Sequence, residues 1–249
     1  MRMRPLDTSM IEQTLSYIPK LLPYLGVTFT YVVFSLLFGS LLAAIMTAAK
    51  LSRFRVLRGL AFGITTVLRC TPSIVLLFLV FYGLPPLLWK TVGIDIEGVD
   101  VIYFVVATFS LFLGASLSEV ARSAYLCVDP GQAEAAACIG LTRMQTLRRI
   151  VLPQVFYLMV PNMGNTLQFL IKEGSLAYMI GLIDIMGRAF LLNSNTMSAY
   201  VLQIYLALAL IFWVLSVGIE KGFAWLERRL QTGYGKSAHT SDRKKGALR

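Results

Sequence analysis

Long apolar stretches, separated by short polar clusters rich in arginine and lysine, run through most of this chain. Residues 21–49, 101–118, 150–171 and 200–219 contain no Asp, Glu, Lys or Arg, and 59–82 is interrupted only by Arg69. A helix needs about 20 apolar residues to cross a bilayer, so these five runs predict five membrane spans. A further apolar stretch, 176–183, is too short to cross and predicts a re-entrant or half-depth segment.

The placement of positive charge orients these spans. Lys50, Arg53, Arg55 and Arg58 follow the first run, Arg122, Arg143, Arg148 and Arg149 follow the third, and eight more lysines and arginines lie between Lys221 and Arg249. With five crossings these sixteen share one side, whereas the loop 83–100 on the other carries three acids. The positive-inside rule predicts an outer N-terminus and a cytoplasmic C-terminus. The first twenty residues lack the uncharged core of a cleaved signal peptide.

Composition agrees with a membrane protein. Of 249 residues 57% are hydrophobic and only 14% charged, with a mean hydropathy of +0.70. A soluble domain carries roughly 25% charged residues. The chain is also too apolar for disorder, and three cysteines cannot build a disulfide framework; Cys70, Cys127 and Cys138 read as reduced packing residues. The net charge of +10 is divided among membrane-proximal loops without interleaved aromatics, so no nucleic-acid partner is expected. With no linker and no internal repeat, the organisation expected is an outer segment 1–20, a single transmembrane domain 21–230 and a basic, disordered cytoplasmic tail 231–249.

The segment 129–140 carries a nearly complete set of helix signals. Asp129 can cap, Pro130 suits the first helical position, and Gln132 stands three residues after the cap. Alanines fill the helix until Gly140 offers a left-handed stop. Thr142 and Gln145 repeat the capping spacing and predict a second helix leading into the fourth span at Pro153. These signals alone fit an ordinary cytoplasmic hairpin.

A longer pattern separates the two readings. Glu134-Ala135-Ala136, three residues, Gly140, nine residues and then Ile150-Val151-Leu152-Pro153 resembles the EAA signature of ABC importer permeases at every fixed position. The resemblance implies that this helix is the coupling helix, received in a groove of a cytoplasmic ATPase subunit, as helix-in-groove recognition requires. Other segments are similar to the polar amino acid branch of these importers: Gly26-Val27-Thr28, Arg69-Cys70-Thr71-Pro72, Lys172-Glu173-Gly174-Ser175-Leu176 and Leu226-Glu227-Arg228-Arg229-Leu230. The fold class implied is all-α: a polytopic membrane protein of about five transmembrane helices with a cytoplasmic coupling helix, like a type I ABC importer permease.

Several residues are candidates for a substrate pathway. Arg69 lies about ten residues into the second run, where an unpaired charge costs roughly 2.5 to 3.5 kcal/mol. Pro72 lacks an amide hydrogen and biases Thr71 away from helical angles, so a broken span beside a buried cation could receive a carboxylate. A proline kink with Arg69 paired internally or snorkelling towards headgroups is the alternative. Lys172, Glu173 and Ser175 close the fourth span, and a half-helix starting near Ser175 would present an anion-favouring end; a Lys-Glu pair at the water interface is the plainer reading. Asn162, Asn165 and Gln168 could line a path or bond between helices. Phe112 and Ser116 depart from the branch pattern, share a helix face, and would reshape a ligand cavity. Glu119 and Arg122, three apart, suit an ion pair.

No phosphate loop, zinc-ligand set or nucleophile elbow occurs in the sequence. The chain is therefore read as a non-enzyme without a metal or cofactor of its own. The resemblance implies two ATP-binding subunits holding ATP and Mg, a second permease as homo- or heterodimer partner, an extracytoplasmic substrate-binding protein, surrounding lipid, and a prokaryotic inner membrane. An ion-driven carrier using Arg69 and Glu119, and a scaffold that only recruits a partner, are the competing classes.

Overall fold

The computed structural model describes residues 8–246, with side chains from Met10 to Arg229. Among the described residues there is no strand. Helix α1 (Thr8–Leu21) leads through a tight 3₁₀ turn into α2 (Leu25–Lys50); α3 (Arg55–Cys70), α4 (Ser73–Phe78), α5 (Leu84–Val92) and α6 (Val101–Cys127) follow. The short α7 (Pro130–Cys138) and α8 (Arg143–Thr146) precede α9 (Leu152–Gly174), α10 (Ile185–Asn195) and α11 (Val201–Gly246). The expected tail lies beyond the described side chains.

Four stretches are long and apolar enough to cross a membrane: Met10–Lys50, Ser73–Val92, Val101–Cys127 and Val201–Arg229. The fifth is a bent pair, Arg143–Ile180 with Ile185–Asn195, whose halves meet at 50°. The five expected crossings therefore map onto four helices and one broken element.

The second crossing begins later than its hydropathy suggests. Thr71 and Pro72 adopt extended angles, so the apolar run 59–82 divides between two helices. Arg69 consequently sits at the end of α3, ahead of the crossing that begins at Ser73, and its side chain is exposed. The expected break is present, but the cation beside it is not buried.

Packing centres on α2 and α6. Tyr31 stacks on Phe109, with ring centroids 6.2 Å apart, inside a core that includes Leu77, Leu113 and Leu170. Two glycines set how closely these helices approach. A Cβ at Gly39 would stand 2.8 Å from the Leu113 Cβ, and one at Gly114 would stand 2.8 Å from Leu42. A second core gathers Tyr17 and Leu21 of α1 with Ile185 and Ala189 of α10 and Ile204 and Ala207 of α11. The N-terminal segment is thus helical from Thr8 and packed into the domain. Outward-facing residues such as Leu37, Leu41, Trp213 and Val214 are more than half exposed, as a lipid-facing surface requires.

Two wide π-turns precede prolines. Leu79–Gly83 leads to Pro85 and Pro86, and Leu147–Val151 leads to Pro153. Proline removes one amide donor and collides with the carbonyl four residues back, and a π-turn relieves both effects without ending the helix.

Candidate functional site

One face of the crossing formed by α6 and α9 carries a polar cleft of about 460 Å³, lined by Arg69, Ser116, Glu119, Ser123, Cys127 and Asn162 among others. A shallower hollow of about 250 Å³ shares Ser116 and adds Phe112, Asn165, Thr166 and Phe169. Phe112 and Phe169 stack across it, with centroids 5.2 Å apart and planes 19° apart. The helical spacing of Phe112 and Ser116 thus places both on this surface, and the α3–α4 break brings Arg69 to its edge.

Glu119 is the hub of this region. Its Oε1 lies 2.7 Å from Lys50 Nζ and its Oε2 lies 3.0 Å from Arg122 Nε. Lys50 also donates to Ser118 Oγ at 2.7 Å, and both Lys50 and Arg122 stand over the Phe62 ring. The expected Glu119–Arg122 pair forms. Lys50 was missed: it follows an apolar run and reads as a loop charge, yet its side chain is 0% exposed. Nothing local reveals this, because its partner is 69 residues away.

The end of α9 differs from expectation. Ser175 continues the helix into a 3₁₀ turn (Ser175–Ile180), and its hydroxyl donates to the Lys172 carbonyl. No helix starts there, so the proposed anion-favouring end does not exist. The next helix start is α10, where the Asp184 carboxylate accepts from the Gly187 amide and fills the cap itself. Lys172 and Glu173 do not pair; Glu173 instead accepts a hydrogen bond from Ser73, tying α9 to the first residue after the Pro72 break. Thr71, Pro72, Lys172 and Ser175 do not line the cleft, and neither does Gln168. The cysteines are free but exposed rather than packed, Cys127 on the cleft wall and Cys138 on α7.

Helix α7 stands apart between α6 and α9. Asp129 caps it by accepting from the Gly131 amide at 2.8 Å, and Pro130 opens its first turn. At its end Gly140 takes φ +80°, with Gly140 N–H donating to Ala137 and Leu141 N–H donating to Ala136, a Schellman stop. Thr142 and Gln145 form the expected reciprocal capping box. Ala136 is 2% exposed and seats α7 on the body of the protein, whereas Glu134, Ala135 and Ile139 point outward. Glu134 and Arg143 line a cleft of about 350 Å³ that separates α7 from the foot of α9. Ile150, Leu152 and Pro153 lie on that foot, in and just after the π-turn. The structure therefore presents a short, doubly capped helix whose outer face mixes Glu134 and Ile139 with alanine.

Residues 39–232 match the family described as the binding-protein-dependent transport system inner membrane component. The chain belongs to this family. Among curated relatives, an L-cystine transport system permease protein of Bacillus subtilis is 38% identical over 215 residues, covering 86% of this chain and 89% of that protein. A nopaline transport system permease protein of Agrobacterium fabrum is 37% identical over 206 residues, covering 80% and 84%. Among solved structures, an amino acid ABC transporter crystallised with histidines matches at a TM-score of 0.70 and 28% identity, over 92% of this chain and all of that one. A methionine ABC transporter in an inward-facing conformation shares the fold at a TM-score of 0.62 and 18% identity, over 90% of this chain and 99% of that one. Membership of this permease family makes the chain a multi-span subunit of an ABC importer, and sets aside the ion-driven carrier and the scaffold.

Proposed function

We propose that this permease forms half of a translocation pathway for a polar amino acid or a close derivative, and that α7 couples it to a cytoplasmic ATPase. The relatives named for cystine and nopaline transport support the substrate class. One observation carries the coupling role: Glu134, Ala135, Ala136 and Gly140 occupy a separate helix, capped at both ends and exposed on one face. Two ATPase subunits would bind ATP and Mg, and a second permease, identical or related, would complete the pathway by two-fold symmetry. A substrate-binding protein would deliver the amino acid on the outer side, where the N-terminus also lies, and the C-terminus would be cytoplasmic in a prokaryotic inner membrane.

In this reading ATP binding draws the ATPases together and α7 carries that motion through the foot of α9, so that access to the polar cleft alternates. Arg69, Ser116 and Phe112 face the moving solute, while Thr71, Pro72, Lys172, Glu173 and Ser175 shape the pathway indirectly through the α3–α4 break and its link to α9. Such coupling requires nucleotide to bind the two conformations differently.

Gentle solubilisation of a C-terminally tagged permease tests the proposal. The wild type is expected to recover an ATPase subunit, and Glu134→Lys to lose it while inserting normally. Equal recovery with the variant would remove the coupling role from α7.

A further inference from the structure

The charges around the polar cleft are unequal. Of the side chains lining the cleft and its adjoining hollow, only Arg69 and Glu119 are charged. Glu119 is already held by two cations, Lys50 on one oxygen and Arg122 on the other. The Arg69 side chain has no hydrogen bond or ion pair among the described residues. One carboxylate thus stands against three cations, and the cation that is free to meet a ligand is Arg69.

An unpaired guanidinium at the edge of a cleft attracts carboxylate, which it can grip with two parallel hydrogen bonds. The same field opposes a second cation, which would enter with no free anion to compensate its lost hydration. Asn162, Ser116 and Ser123 offer neutral acceptors for an α-ammonium group. Beyond Ser116 the wall becomes the Phe112–Phe169 stack, suited to an uncharged side chain.

We infer that this subunit selects amino acids with neutral or acidic side chains against lysine- and arginine-like ones, and that buried Lys50 sets this preference by neutralising Glu119. Lys50 acts through Glu119 and is a positioning residue. The inference rests on the importer reading and adds the substrate's charge class. Freeing Glu119 would give the cleft a carboxylate and admit cationic side chains.

The test is direct binding to the assembled transporter, permeases with ATPase subunits, in lipid nanodiscs without substrate-binding protein. Radiolabelled glutamine, glutamate and arginine are the probes. Wild type is expected to bind glutamine or glutamate at least tenfold more tightly than arginine. Lys50→Gln should shrink that ratio at least fivefold by strengthening arginine binding, Lys50→Arg should preserve it, and Arg69→Gln should abolish binding of all three. Where Lys50→Gln does not assemble, Arg122→Gln frees the other oxygen of Glu119 and carries the same expectation. Arginine bound by wild type as tightly as glutamine, no binding of any probe to wild type, or an unchanged ratio in an assembled variant would each overturn the inference. Absence of ATPase from the wild-type complex would instead overturn the importer reading, so the two failures are distinguishable.

Discussion

Lys50 and Arg69 have exchanged the roles that their sequence positions suggest. Lys50, at the edge of a charge cluster, is buried against Ser118 and Glu119, whereas Arg69, inside an apolar run, is exposed at a helix break. The exchange follows from partners: a buried ammonium is tolerated only where a carboxylate and further hydrogen bonds receive it. Glycines show the same dependence on neighbours. Gly114 has Leu42 against it, so Gly114→Val should overpack the α2–α6 contact and cost about 1–3 kcal/mol. Gly59 has open space where a Cβ would go, and Gly59→Ala should stabilise its helix by about 0.5–1 kcal/mol. Thermal unfolding of the two variants in one detergent checks both signs; a Gly114→Val protein as stable as wild type would contradict the close approach.

At the scale of the element, α7 is the part most legible in the sequence, because every signal that makes it is local. Asp129, Pro130, Gly140, Thr142 and Gln145 act within a few residues of themselves, and all five behave as their spacing implies. Gln132 is the exception to the capping-box pattern, since only its backbone amide meets Asp129. Gly140 at φ +80° gives a clear test. A β-branched residue pays roughly 1–2 kcal/mol for a left-handed conformation, and asparagine pays less. Gly140→Val should therefore unseat the end of α7 and reduce ATPase recovery several-fold, with Gly140→Asn close to wild type; copurified ATPase per permease is the measurement. The segment 176–183 is less legible, because its apolar pattern does not say whether α9 stops before it. There Tyr31 packs against Gly174, and Ala177 and Ile180 join the buried core, contacts with distant residues that no local pattern encodes.

For the whole molecule, a single chain leaves two kinds of surface exposed. One is apolar and suits lipid; the other is the polar cleft and the outward face of α7, which suit partners. Cys138 on α7 is a natural reporter of the second kind. In a Cys70→Ser, Cys127→Ser background, maleimide should label Cys138 rapidly in the permease alone and at least tenfold more slowly once ATPase is bound. Equal rates would mean that the ATPase docks elsewhere.

The sequence by itself determined the all-α membrane class, the approximate positions of the crossings, and the capped helix that carries the family's motif. Each rests on composition or on interactions within a turn or two of the chain, and such effects survive without knowledge of the fold. Only the tertiary structure decided that the second crossing starts after Pro72, that Glu173 joins Ser73, and that Lys50 neutralises Glu119 across 69 residues. Those outcomes depend on which helices meet, and on the free energy of burying a charge beside one particular partner, which no local pattern encodes.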